Sequence, residues 1–251
     1  MKKLLIIPVS LLAISSLFFI SCGNGGSTSE MKSPVAKTTD STTQHENNKQ
    51  NDNQSLALQT SMKESTGTNS KTTENMQAAF KGETTASAKY AAYSKKAEQE
   101  GYHEIALLFK AASTSENIHA NNHKAVLQES GFTVPSIKPE FTVKTTKENL
   151  QDAITGETYE VTTMYPDFLT VANKDGNQIA MISLNYAYKT EKKHKVFYEE
   201  ALAALQNNTV KSLPKVFYVC PTCGNTYETK APARCGISMT SGERFLKITS
   251  L

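Results

Sequence analysis

Along four stretches of the chain one residue in every three or four falls on a common stripe, the spacing of helices that bury a single face. Over residues 74–100 the stripe runs Met76, Phe80, Glu83, Ser87, Tyr90, Ser94 and Ala97, and over 103–129 it runs Ile105, Phe109, Ala112, Glu116, His119, His123 and Val126. The third stretch, 147–173, gives Leu150, Ala153, Glu157, Glu160 and Met164; the fourth, 176–206, gives Ala180, Leu184, Ala187, Glu191, His194, Tyr198, Ala201 and Leu205. Short links at Gly101 and at Lys174-Asp175-Gly176 predict that helices one and two, and three and four, are antiparallel neighbours. Residues 131–146 contain Pro135 and Pro139 and, at up to ~3.3 Å per residue, can run the length of a bundle. They read as a crossover. Pro166 lies inside the third helix and predicts a kink or a break there. The expected fold class is therefore an all-α four-helix bundle with one long crossover between helices two and three.

Charges interrupt these stripes where apolar residues belong. Glu83 sits on the first, Glu116 and His119 on the second, Glu157 and Glu160 on the third, and Glu191 and His194 on the fourth. Burying several ionised carboxylates together is strongly unfavourable unless cations neutralise them, so a metal pair is the economical explanation. Residues three apart on a helix share a face and stand ~4.5 Å apart along its axis, so each Glu-x-x-His can offer an oxygen and a nitrogen to one centre. Such donors suit iron or manganese without deciding between them. His123, one turn beyond His119, is read as a neighbour of the site or a surface residue and not as a ligand.

Outside the bundle, composition changes the picture at both ends. Lys2 and Lys3 followed by an apolar run over residues 4–20 form an export signal, and Phe19-Ile20-Ser21-Cys22-Gly23 resembles the lipobox of bacterial lipoproteins. That resemblance implies cleavage after residue 21, acylation of Cys22 and a membrane-anchored lipoprotein on the exported side. Residues 23–73 hold no aromatic residue, and 28 of those 51 are Ser, Thr, Asn or Gln, too little apolar surface to offset ordering. Residues 22–73 are thus a disordered tether between anchor and head. Without Lys2 and Lys3 the chain carries 25 basic against 24 acidic residues, which excludes a nucleic-acid footprint. With Cys22 lipidated, the remaining cysteines are Cys220, Cys223 and Cys235, an odd number gathered in one stretch and pointing to metal binding or a free thiol.

The wording of the motifs goes further. Gly82-Glu83, Glu116-Asn117-Ile118-His119, Gly156-Glu157-Thr158-Tyr159-Glu160, Met164-Tyr165-Pro166 and Glu191-Lys192-Lys193-His194 resemble rubrerythrin, over roughly residues 74–250. The resemblance implies a ferritin-like di-iron bundle over 74–208 and a small β-rich, rubredoxin-like C-terminal domain over 214–251. It implies that Glu83, Glu116 and His119 serve one iron and Glu157, Glu191 and His194 the other, with Glu116 and Glu191 bridging. Glu160 matches an additional family carboxylate, between which and the opposing His119 one iron moves as redox state changes, and Tyr90 and Tyr165 match tyrosines that hydrogen-bond near the site. The implied reaction is two-electron reduction of hydrogen peroxide to water in oxidative-stress defence, by a homodimer drawing on an external electron donor that the sequence does not identify. Ferroxidase or iron-handling activity, and metal binding without turnover, stand as alternatives.

In the tail, Cys220-Pro221-Thr222-Cys223-Gly224 resembles the first rubredoxin knuckle and Cys235-Gly236 the start of the second, implying one iron or zinc held by Cys220, Cys223 and Cys235. The fourth position, three after Cys235, is Ser238. A rubredoxin needs four thiolates, so the tail is expected to pass electrons poorly and the bundle's direct reaction with peroxide to be largely independent of it. A disulfide between Cys220 and Cys223 would silence the tail altogether.

Overall fold

A computed structural model of the chain describes residues 70–251; the export signal, Cys22 and all of the tether before residue 70 lie outside them. Helix α1 spans Lys71–Gln99 and starts three residues ahead of the expected Glu74, because the Ser70 hydroxyl accepts the Thr73 N–H and caps it. Thr72 also donates to Asp175 at 2.6 Å, tying this end to a distant turn.

Gly101, at φ +83°, makes the turn into α2, His103–Glu129. The two helices pack antiparallel, as reciprocal bonds show: Ser87 donates to the Ser113 carbonyl at 2.9 Å and Ser113 to the Ser87 carbonyl at 2.8 Å. The chain then crosses over, and Thr145 with Glu148 forms a capping box that starts α3, Thr146–Tyr159.

The third predicted helix is two helices. A five-residue π-helical turn, Glu160–Met164, separates α3 from α4, Tyr165–Lys174. Pro166 explains its place: the ring brings no N–H and crowds the preceding turn, and a widened turn just upstream lets the chain continue without a break. Asn177 then caps α5, Gln178–Gln206, by accepting from Ala180 N–H.

Two apolar layers fill the bundle. Tyr90, Tyr93, Phe109 and Tyr198 centre one, with neighbouring ring centroids 5.3–6.1 Å apart; Met76, Phe80, Leu127, Tyr165 and Leu184 build the other. The charged stripe positions fall between them in sequence on α1, α2 and α5, so the burial that holds the layers together also desolvates the charges.

After a short 3₁₀ turn at Val210–Ser212, the tail forms β1 (Phe217–Val219), β2 (Thr226–Glu228) and β3 (Leu246–Ile248), antiparallel in the order β2-β1-β3. Val219 pairs with Thr226 and with Leu246. Phe217 and Val219 belong to the bundle's own core. The tail is therefore seated on the helices.

Candidate metal centre

Four helical segments bring the charged positions together. Glu83, Glu116, His119 and Glu191 form one buried group and Glu116, Glu157, Glu191 and His194 a second, with the donor atoms in each within 4.8 Å of one another. Glu116 and Glu191 belong to both. All six side chains are at most 2% exposed.

The geometry inside the layer is reciprocal. Nδ1 of His119 lies 2.9 Å from Glu116 Oε2 and 2.8 Å from Glu191 Oε1, while Nδ1 of His194 lies 3.1 Å from Glu116 Oε1 and 2.7 Å from Glu191 Oε2. Each non-shared carboxylate is steadied by a tyrosine. Tyr90 donates to Glu157 Oε1 at 2.7 Å, and Tyr165 donates to Glu83 Oε1. Burial, reinforced by nearby carboxylates, raises both phenols well above their ordinary range, so they remain donors.

Charge is frustrated here. Burial pushes Glu83 up to about 8, and burial with the shared carboxylates raises Glu157. Burial opposes ionisation of Glu191 too, but His119 and His194 on either side hold it well below the carboxylate range. Burial likewise opposes charge on the two imidazoles, yet Glu191 with Glu83 raises His119, and Glu116 with Glu191 raises His194. The layer shares protons where a cation would sit.

A metal pair fits the donor set by a direct test. Glu157 Oε2 is buried and receives no hydrogen bond, and Glu116 Oε1 and Glu191 Oε1 have no neighbour to meet them but the imidazole Nδ1 atoms of His194 at 3.1 Å and His119 at 2.8 Å. Orphaned carboxylate oxygens of this kind are costly unless something positive meets them.

Glu160 belongs to neither group. It opens the π turn half-buried, and burial together with the charges of Glu83, Glu157 and Glu191 raises its carboxyl well above the usual range. His123 is fully buried beside the site: its Nδ1 lies 2.8 Å from Ser183 Oγ and its Nε2 3.3 Å from Tyr165 Oη. Burial, then the neighbouring His119, lowers it to about 3, so the ring is neutral. Since Tyr165 gives its proton to Glu83, a chain of bonds runs from Ser183 through His123 and Tyr165 to the carboxylate. Ser183 had no signal in the sequence beyond a small residue on a helix.

The tail cysteines form a second cluster. Cys220, Cys223 and Cys235 are buried free thiols with sulfurs within 4.8 Å of one another, and Cys223 Sγ is 3.4 Å from Cys235 Sγ. The Cys220–Cys223 disulfide is not formed. Ser238 Oγ lies 3.3 Å from Cys220 Sγ, completing a set of three sulfurs and one hydroxyl. A hydrogen bond from Cys223, more than the opposing burial, draws Cys220 down to about 4, while that same bond and burial raise Cys223. One shared anion in a thiol cluster is a set that a soft cation can fill.

Bundle and tail are in direct contact at the site. His119 Nε2 donates to the Cys223 carbonyl at 3.1 Å, His194 Nε2 lies 2.9 Å from Thr226 Oγ1, and Ser115 donates to the Gly224 carbonyl at 2.8 Å. No motif signals a backbone carbonyl or a lone threonine as part of a site, so sequence reasoning missed both.

Residues 74–202 match the family described as rubrerythrin. Over 178 residues the chain is 33% identical to rubrerythrin-2 of Clostridium acetobutylicum, spanning 70% of this chain and 96% of that protein. It is 34% identical over 176 residues to nigerythrin of Nitratidesulfovibrio vulgaris, spanning 69% and 85%. Among solved structures, fully reduced, all-ferrous nigerythrin superposes with a TM-score of 0.64 at 30% identity, covering 72% of this chain and 89% of that one. A bacterioferritin of Mycobacterium tuberculosis shares the fold at a TM-score of 0.51 and 17% identity, covering 56% and 92%.

Proposed function

The chain belongs to the rubrerythrin family, and we propose on that premise that its bundle is a non-haem di-iron peroxidase reducing hydrogen peroxide to water in oxidative-stress defence. The observation that carries this reading is the pair of buried groups sharing Glu116 and Glu191. Glu83, Glu116 and His119 would hold one iron and Glu157, Glu191 and His194 the other, with Glu116 and Glu191 common to both. When bound, two ferrous ions supply the two electrons of the reaction and a place for both peroxide oxygens.

The protein's own part is to position and to supply protons. Tyr90 and Tyr165 each occupy one oxygen of a non-shared carboxylate, which leaves the other oxygen of Glu157 without a hydrogen bond and aims it inward. Turning one peroxide into two waters consumes two protons. Glu160, half-buried and with its carboxyl raised well above the usual range by burial and the neighbouring carboxylates, can carry one from solvent to the site.

Mixing reduced protein with peroxide or with oxygen in a stopped-flow instrument tests the reading. Fast oxidation by peroxide and slow oxidation by oxygen supports it; the reverse order identifies a ferroxidase, and no reaction identifies a metal-binding protein. Glu160→Gln, which keeps the volume but loses the transferable proton, is expected to retain metal while slowing the peroxide phase roughly 10²-fold, the lower range for general acid catalysis. Unchanged kinetics would take Glu160 out of the mechanism.

The same reading includes a homodimer and a head anchored to a membrane through lipidated Cys22. Two or more acyl chains anchor firmly where one is marginal, so Cys22→Ser is expected to release the head or leave an uncleaved precursor. Labelled palmitate that fails to enter the wild-type protein would contradict the anchor.

A further inference from the structure

We propose that Thr226, on the tail strand β2, is a positioning residue for His194: its hydroxyl oxygen accepts the Nε2 proton and so reserves Nδ1 for metal. The proposal rests on the reading of the bundle as a metal centre and adds to it an outer partner contributed by the tail.

The bond inventory of the hydroxyl decides its direction. Thr226 Oγ1 lies 2.9 Å from His194 Nε2 and 3.2 Å from the Gly224 carbonyl, with both side chains fully buried. A carbonyl only accepts, so the single hydroxyl proton points to Gly224 and the oxygen is left to accept from the imidazole. With Nε2 carrying its proton, the neutral ring presents its lone pair at Nδ1, the nitrogen that faces Glu116 and Glu191. Such an outer bond also fixes the ring plane and raises its basicity as a ligand.

Local packing leaves the tail little freedom to lose this contact. Asn122 donates to the Thr222 carbonyl at 2.9 Å and Ser115 to the Gly224 carbonyl at 2.8 Å, both from α2. Gly224 sits at φ +74°, and a Cβ there would meet His119 Nε2 at 2.3 Å. Only glycine lets the knuckle come this close.

Thr226→Val keeps the β-branched shape and removes the acceptor; Thr226→Ser restores it. The test is titration of the metal-free full chain with cobalt(II), read by visible absorption, the tail's cobalt being told apart by its thiolate charge-transfer bands. The wild type is expected to bind two cobalt ions in the bundle, and Thr226→Val to weaken one of them about 10–100-fold while sparing the other. Thr226→Ser is expected to return that affinity close to wild type. In the zinc-loaded protein, a protected His194 Nε2–H resonance in ¹⁵N–¹H spectra should persist in the wild type and the serine variant and vanish in the valine variant. Equal affinities and spectra for wild type and Thr226→Val would overturn the assignment, as would a serine variant as weak as valine. A wild type that binds fewer than two bundle cobalt ions would instead overturn the metal-centre reading beneath it.

Discussion

Glu191→Ala is expected to reduce the bundle from two irons to at most one and to lower peroxide turnover by more than about 100-fold, since outer partners of metal ligands alone carry about 10–100-fold. The residue is shared by both donor groups. Its two oxygens lie 2.8 Å from His119 Nδ1 and 2.7 Å from His194 Nδ1, and it is fully buried yet held ionised by those rings. Truncation therefore removes a donor from each group and leaves two imidazoles facing a gap. Glu191→Gln preserves the volume, so comparing helical circular dichroism and melting of the two variants separates metal loss from misfolding. A variant that keeps both irons and near-normal turnover would show that the shared carboxylate does not hold the pair.

Ser238→Cys is expected to produce an intense visible ferric–thiolate absorption at one iron per tail that the wild type lacks. Three sulfurs and the Ser238 hydroxyl already stand together, the hydroxyl being 3.3 Å from Cys220 Sγ and 2.9 Å from Thr240 Oγ1. Replacing that hydroxyl by a thiol supplies the fourth thiolate on which a rubredoxin-type iron depends. Because the Cys223 carbonyl accepts from His119 at 3.1 Å, the tail cluster is joined to the bundle by one ligand and one hydrogen bond. Reduction of the bundle by an external donor should therefore quicken in the variant. Wild-type protein showing the absorption at one iron per tail would prove the three-sulfur site competent as it stands.

The four stripes were readable because burial in a bundle repeats with the helical turn, and Glu83, Glu116, His119, Glu157, Glu191 and His194 broke that repeat where it should have been apolar. Tyr90 and Tyr165 were marked by the resemblance to rubrerythrin and not by the repeat, and their hydroxyls reach Glu157 and Glu83. Pro166 announced a disturbance but not its form: a kink, a break and a π turn all relieve a missing N–H, and the chain takes the last, over Glu160–Met164. His123 was ambiguous from periodicity alone, and its burial against Ser183 and Tyr165 became visible only with the third dimension. The tail's grip on the site was illegible. It depends on the Cys223 carbonyl, which every residue possesses, and on Thr226, whose role comes from a sheet register that places it beside Val219 over the bundle core.

The proposed peroxidase stands on a coupled pair of irons between Glu83, Glu116, His119, Glu157, Glu191 and His194. Metal analysis together with Mössbauer spectroscopy of the full chain, matured in an iron-replete host, tests it most directly. Two irons per bundle are expected, antiferromagnetically coupled when oxidised and both ferrous after reduction; a single uncoupled iron, or zinc alone, would rule the pair out.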